Sequence, residues 1–567
     1  MERHWLPHYP EGVPADIDPA LVPTLAHLFE ESFARFRDRN ALVFMDRLMS
    51  YAELDRLSQA FGGWLQAQGL AQGARVAIMM PNLPQYPVVL AGVLRAGCTV
   101  VNVNPLYTPR ELEHQLKDSG AEVIVILEQF AITLQQVLER TQVRHVVLAS
   151  VGDLLGFPKG AIVNFTLRKV RKAVPAFSLP GARRFGDVIT EGARAGFRRV
   201  EVKPDDIAFL QYTGGTTGVS KGATLLHRNV AANVLQSEAW TQPALNDPQR
   251  GPLEGQIVSV CVLPLYHVFA LVVNCLLGIR LGQLMVLIAN PRDIPALVAE
   301  LGKRPFHVLP AVNTLYNALC QSPEFAKLDF SQLRIANGGG ASVQRAVAEK
   351  WLAITGCPIV EGYGLSETSP SVSCNPIISR EFTGTVGLPF PSTEIKMIDD
   401  DGNAVPLGQA GEVAIRGPQV MAGYWNRPDE TAKVMTADGF LKTGDIGIMD
   451  ERGYFRIVDR KKDMILVSGF NVYPNEIEDV VTRHPGVSEC AAVGVPDEKS
   501  GEAVKLYVVR RDPALTEAEL MEHCKRELTG YKKPRTIEFR SELPKSNVGK
   551  ILRRELRDQA LKSIRNA

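Results

Sequence analysis

Apolar positions in the first third of the chain fall into short runs that alternate with helically spaced stretches. Residues 74–80 form an apolar strand pattern closed by Pro81, 84–96 a helical stretch and 99–103 a β-branched run. A second helix over 109–119 and strands over 122–127 and 145–148 follow. Short strands separated by helices predict parallel pairing, with both faces of the sheet covered. Further strands are expected at 206–211 and 333–336, with a helix over 225–239. The run 257–279 contains no Asp, Glu, Lys or Arg and is long enough to span a membrane, but Pro264, Tyr266, His267 and Asn274 interrupt it. It reads as a buried strand over 257–263, a loop around 264–267 and an apolar helix.

Near the end of the chain the pattern breaks. Asp459, Arg460, Lys461, Lys462 and Asp463 put five charges in a row between apolar residues on either side. A charged elbow between apolar strands predicts a mobile hinge. The expected organisation is a large domain over 1–458, a hinge over 459–462 and a small α+β domain over 463–567.

Composition narrows the class. Of 567 residues 45% are hydrophobic and 22% charged, which suits a globular protein and not a disordered or fibrous one. Lys and Arg number 63 against 62 Asp and Glu, so a partner bound through overall charge, such as nucleic acid, is not expected. The eight cysteines are scattered with no CxxC pair, arguing against a disulfide framework or zinc cluster and for a reducing compartment. The charged, proline-bearing start is not expected to act as a secretion leader. Charge is nevertheless uneven. Residues 151–200 hold ten basic against three acidic residues, with Val163, Leu167, Val170 and Val174 at helical spacing among Arg168, Lys169, Arg171 and Lys172. Such a stretch can lie on an anionic membrane surface, or it can be a solvated connector whose apolar face packs on its own domain.

Candidate chemistry begins with Tyr212, Thr213, Gly214, Gly215, Thr216, Thr217, Gly218, Val219, Ser220, Lys221, Gly222 and Ala223. Glycines let backbone N–H groups approach an anion, hydroxyls donate to phosphate oxygens and Lys221 supplies a point charge. The order of residues is not that of a Walker A loop, and the expected setting is a strand-to-helix turn. A second cluster, Gly338, Gly339, Gly340 and Ala341, is compatible with a tight turn alone. Tyr363 and Gly364 precede Glu367 and Thr368: a ring to stack on a base, a carboxylate to hold magnesium and a hydroxyl for a phosphate. A core tyrosine followed by a helix cap fits the same residues. Asp445 lies in a glycine-flanked turn where a carboxylate can accept ribose hydroxyls. Lys550 follows Gly549 on a loop of the small domain. GxSxG, HExxH and strand-borne GxGxxG motifs are absent, which removes support for serine hydrolase, zincin and dehydrogenase readings.

In this order and spacing the five motifs resemble the adenylate-forming superfamily of acyl-CoA synthetases, adenylation domains and luciferases, over essentially the whole chain. Residues 102–116, 458–478 and 543–556 are similar, within it, to bacterial long-chain fatty-acid–CoA ligases. The resemblance implies an α/β fold: a large N-terminal domain of α/β subdomains, with parallel sheets and a small β-barrel-like part, and a smaller hinged α+β C-terminal domain. It implies ATP- and Mg2+-dependent formation of an acyl-adenylate, followed by thioester formation with coenzyme A, feeding β-oxidation. A fatty-acyl-AMP ligase serving a carrier protein, or a medium-chain synthetase, is the alternative.

Residue by residue, the Tyr212–Ala223 loop would handle the β,γ-phosphates, Gly338–Ala341, Tyr363 and Gly364 the adenine, and Thr368 the α-phosphate. Glu367 and Thr216 would hold magnesium, Asp445 and Arg460 the ribose, and Lys550 the attacking carboxylate and nucleotide. His267 would stand near the reacting carboxylate, with residues 268–277 flanking an alkyl chain. Lys462 would be the hinge pivot, bringing Ser468, Gly469 and Phe470 to the site for the second step. The implied partners are a long-chain fatty acid, ATP, coenzyme A and the inner face of the cytoplasmic membrane, and a homodimer is compatible. The implied location is cytoplasmic, peripheral to that membrane.

Overall fold

The computed structural model describes residues 3–213, 220–247, 251, 253–468, 470–497, 499–546 and 549–566. Gly214, Gly215, Thr216, Thr217, Gly218, Val219 and Gly469 therefore lie outside the described residues.

The alternating pattern at the front of the chain builds an eight-stranded sheet. Its order is Gly423–Tyr424, Lys221–Leu226, Ile207–Thr213, Thr99–Asn102, Arg75–Met79, Val123–Leu127, His145–Ala149 and Arg183–Arg184. Pairing is parallel from Ile207–Thr213 onward. The first two junctions are antiparallel. Helix Gln85–Arg95 is buried along its whole length, as a helix apolar all round must be. Helix Pro109–Ser119 occupies the span its sequence predicts. Thr108 and Glu111 form a capping box at its start, and Gly120 takes the left-handed conformation at its end.

One local expectation is overturned. The glycine- and threonine-rich loop does not lead from strand to helix: Lys221–Leu226 is a strand paired antiparallel with Ile207–Thr213, and the helix starts only at His227. Lys221 is thus anchored at the mouth of a β-hairpin.

Three more four-stranded sheets complete the larger body around the main core, two of them mixed in direction and the third antiparallel. One joins Val258–Cys261, Leu284–Leu287, Asn40–Phe44 and Arg47–Ser50, and another Ala336–Gly338, Ile359–Gly364, Ser371–Cys374 and Leu388–Pro389. The β-barrel-like part is an antiparallel sheet of Glu394–Ile398, Ala410–Arg416, Leu441–Met449 and Phe455–Arg460, and it does not close into a barrel. The run 257–279 is a strand, a loop and the helical segments Val268–Ala270, Leu271–Leu276 and Leu277–Arg280. Among the described residues no helix is long and apolar enough to cross a membrane.

Beyond Arg460 a five-stranded sheet forms a smaller α+β unit. Its strands run Phe470–Val472, Ile465–Val467, Gly501–Arg510 and Val487–Asp497, with Thr536–Arg540 parallel to Gly501–Arg510. Among the described residues every apolar core cluster lies wholly on one side of the charged elbow. Apolar cores that do not cross the elbow are what separate units have.

The basic stretch 151–200 docks with an inverted face. Arg168 grips buried Glu128 (2.8 Å) and Asn164 accepts from Gly152 N (2.7 Å), so part of the face of Lys159–Phe165 turned to the protein is polar. Val163 rests on the main core, but Phe157, Ile162, Phe165 and Val170 are 93%, 59%, 61% and 67% exposed.

Candidate active site

The strongest cluster follows from strand register. Asp445 and Arg460 are direct partners across antiparallel strands, and Arg460 Nε meets Asp445 Oδ1 at 2.9 Å. Tyr363, arriving from Ile359–Gly364, donates its hydroxyl to Asp445 Oδ2 at 2.6 Å and meets Phe455 edge-on. Three expected site residues thus meet around one buried carboxylate. Glu367 lies one turn further along and accepts the Tyr424 hydroxyl at 2.7 Å. Thr368 is fully buried; its hydroxyl donates to Pro370 O and accepts from Leu365 N, so it shapes this turn, against which Gly364 closes.

Gly338, Gly339, Gly340 and Ala341 follow the parallel pair Ala336–Gly338 and Ile359–Gly364. The Phe269 ring stands 3.0 Å from where a side chain on Gly339 would begin, a close approach that glycine accommodates without a shift of the ring. It brings the segment after His267 against the second glycine cluster. Buried Glu361, which sequence reasoning missed, accepts Val343 N at 2.8 Å behind that cluster, and burial raises its carboxyl to about 8. His267 caps the following helical turn by accepting Phe269 N at Nδ1 (3.4 Å), which leaves Nε2 to carry the proton. Desolvation, with Lys550 nearby, lowers its pKa to about 4, so the ring is neutral at physiological pH.

Lys550 comes from the smaller unit. A side chain on Gly549 would begin 2.4 Å from Thr314 Oγ1, so this loop is pressed onto the larger body, and Gly549 (φ +78°) takes the left-handed turn. The residue keeps solvent access, yet protein crowds its ammonium, and this desolvation together with Arg460 pushes its pKa down to about 8. Asp445 partly offsets that shift. Lys550 therefore joins the Asp445–Arg460 cluster and His267.

Other expected residues lie elsewhere. Tyr212 donates to Asp118 at 2.7 Å, and with Gly222 and Ala223 it belongs to the sheet around the loop. Thr213, Ser220 and Lys221 stand at the loop's described ends; Ser220 O meets the His114 ring at 3.0 Å, and Lys221 pairs with Glu430. Lys462 is exposed, and partial desolvation of its ammonium together with Arg460 depresses its pKa. Ser468 bonds Ser500 O through its N–H, and the Phe470 ring stacks on Tyr531 at 4.6 Å, both within the smaller unit.

Two more residues escaped sequence reasoning. Arg553 binds Glu478 through Nε (2.8 Å) and Asp459 through Nη1 (3.1 Å), tying the elbow to the smaller unit. Tyr424 reaches both Glu367 and Lys221. The Gly-Tyr pair before Trp425 was the only signal for it.

Comparison with known proteins shows the family. Residues 29–425 match the AMP-binding enzyme family and 476–550 the AMP-binding enzyme C-terminal domain. A long-chain-fatty-acid–CoA ligase of Escherichia coli O6:H1 is 56% identical over 567 residues, covering all of both chains. The Haemophilus influenzae protein of that name is 50% identical over 562 residues, 99% of each chain. Among solved structures, ATP-bound MatB from Rhodopseudomonas palustris aligns with a TM-score of 0.78 and 29% identity over 94% of this chain and 98% of that one. An anthranilate CoA ligase, AuaEII, holding anthranoyl-AMP shares the fold, with a TM-score of 0.84 at 24% identity over 97% and 100% of the chains. With both parts of the family signature in order, and full-length relatives at half identity or more, the chain belongs to the AMP-binding enzymes.

Proposed function

We propose that this enzyme converts a long-chain fatty acid, ATP and coenzyme A to acyl-CoA, AMP and diphosphate through an enzyme-held acyl-adenylate. The observation that carries this reading is the seating of the Lys550 loop beside Asp445, Arg460 and His267. Lys550 is an ammonium that the smaller unit delivers to the nucleotide cluster. It stabilises the negative charge that develops as the acyl carboxylate attacks the α-phosphorus. Neutral His267 offers its Nε2–H to that carboxylate, while Asp445 takes the ribose hydroxyls and Arg460 fixes Asp445. Tyr363 and the 338–341 turn flank the base. The buried aliphatic residues after His267 line the alkyl chain, each methylene withdrawn from water being worth ~0.8 kcal/mol.

Magnesium is usually held by one or two carboxylates plus substrate phosphates. Glu367 fits: it is one carboxylate, oriented by the Tyr424 hydroxyl, whose ring also meets Lys221. The ion would neutralise phosphate charge there. After adenylation the lid, 463–567, turns about 459–462 with Lys462 as pivot, withdraws Lys550 and brings the 468–470 loop to the site, where the coenzyme A thiol attacks the acyl carbonyl and displaces AMP. The acyl-CoA formed feeds β-oxidation.

Oleate and ATP without coenzyme A are expected to release one diphosphate per active site in a rapid burst, with AMP appearing only when coenzyme A is added. Diphosphate release that waits for coenzyme A would contradict the two-step order. Preferential transfer to a phosphopantetheinylated carrier protein would favour the carrier-dependent alternative.

We also propose that the outward face of the 157–170 segment rests on the anionic inner leaflet, where fatty acids arrive. Apolar Phe157, Ile162, Phe165 and Val170 face solvent, flanked by exposed Lys169, Arg171 and Lys172. That combination matches an interfacial helix. Phosphatidylglycerol vesicles are expected to retain the enzyme at low salt, and salt or the double change Phe157→Ser/Phe165→Ser to release it. No retention at low salt would refute this surface.

A further inference from the structure

We propose that Tyr424 is the positioning residue of the phosphate end of the nucleotide site, its hydroxyl aiming the Glu367 carboxylate while its ring face holds the Lys221 ammonium. The inference rests on the reading of Glu367 as the magnesium carboxylate. The Tyr424 hydroxyl donates to Glu367 Oε1 at 2.7 Å, and Lys221 Nζ lies 4.9 Å above the centre of the same ring. One side chain therefore touches two groups 146 positions apart in the chain, the one meant for the metal and the one meant for phosphate.

Backbone pairing explains the placement. Gly423–Tyr424 adds as an edge strand to Lys221–Leu226, with Tyr424 opposite Ala223. Trp425 N donates to Gly222 O at 2.8 Å, Ala422 N to Thr224 O at 3.0 Å and Met421 N to Glu367 O at 2.8 Å. Tyr424 N in turn donates to Thr431 Oγ1 at 2.8 Å. The segment is thus stitched to the second strand of the phosphate hairpin on one side and to the Glu367 turn on the other. The main chain that carries the ring is therefore held on both sides.

Each half of the side chain has its own task. An O–H donor on one carboxylate oxygen fixes the plane of the group and leaves its second oxygen to face a cation. A phenol O–H facing a carboxylate can only donate to it. The ring's negative face attracts the Lys221 ammonium. Glu430 pairs with Lys221 from the side, and with Lys433, so in this conformation the lysine is shared between a carboxylate and a π face. An incoming triphosphate competes with the carboxylate and leaves the ring contact in place.

The two tasks separate by mutation. ATP binding without fatty acid is measured by calorimetry, with magnesium titrated and with the metal chelated. Tyr424→Phe keeps the ring and loses the hydroxyl. It is expected to leave metal-free ATP affinity and melting temperature unchanged and to raise the magnesium concentration for half-maximal ATP binding about tenfold, the size of a hydrogen bond to a charged group. Tyr424→Leu loses both contacts and is expected to weaken metal-free binding as well. Glu367→Gln is the reference. If it shifts the magnesium requirement and Tyr424→Phe does not, the positioning role is overturned while the Glu367 reading stands. If neither shifts it, both are overturned. Equal loss by Tyr424→Phe with and without metal would also refute the assignment.

Discussion

Replacing Lys550 with alanine is expected to slow diphosphate release from oleate and ATP by about a hundred- to a thousandfold, the usual cost of losing one preorganised charge at a developing anion. Nothing else in the cluster can substitute. Arg460 is committed to Asp445 at 2.9 Å, and Lys221 stands at the phosphate hairpin beside Glu430. The pH profile carries a second signature. Crowding and Arg460 hold the Lys550 pKa near 8, below its ordinary 10.5, so the charge needed for adenylation is complete below that pH and is lost as pH rises through it. The adenylation rate should fall on the alkaline side with an apparent pKa near 8. Lys550→Arg, whose charge persists, should retain part of the rate and lose that alkaline limb. His267, lowered to about 4, titrates far from this window and adds no limb there.

The second large effect concerns the joint. Arg553→Ala is expected to destabilise the smaller unit by about 3–5 kcal/mol, the range for breaking a buried ion pair by removing one partner. The Arg553 guanidinium donates to Glu478, Asp459 and Asn475 at once, and the Asp459 carboxylate is fully buried. Without the arginine, Asp459 and Glu478 face each other with only backbone N–H groups and Asn475 for company. Burial already raises Asp459 to about 6, and the variant should raise it further. A carboxyl titrating higher in the folded state than in the unfolded state binds protons preferentially when folded. The lost stability should therefore return as pH falls toward and below 6 and be greatest at alkaline pH. Differential scanning calorimetry, with the smaller unit melting as a separate earlier transition, reads this directly. A single unshifted transition would show that the network does not hold the joint.

Much of the fold was legible because local signals and tertiary structure agree. Helix Pro109–Ser119 could be placed at both ends because Thr108, Pro109, Glu111 and Gly120 each state a boundary. The parallel strands followed from apolar runs that must be covered on both faces. The phosphate hairpin was not legible. Lys221–Leu226 carries a short apolar end that merges with the next helix, and only hydrogen bonding to Ile207–Thr213 across the loop makes it a strand.

At the candidate site the sequence offered residues singly and not the pairs they form. Tyr363 and Asp445 lie 82 positions apart, Glu367 and Tyr424 57, and Asp459 and Arg553 94. No periodicity connects such pairs. The inverted face of the 157–170 segment was hidden for a related reason. Helical spacing selected Val163, Leu167, Val170 and Val174, whereas buried Glu128 captures Arg168, turns polar atoms inward and leaves Phe157, Ile162 and Phe165 outside.

The alternating lid meets its most direct test in the second half-reaction of the Lys550→Ala enzyme, supplied with synthetic oleoyl-adenylate and coenzyme A. Acyl-CoA should form at close to the wild-type rate, because Lys550 has left the site when the thiol attacks. A loss equal to that seen in adenylation would contradict a lid that turns between two working positions.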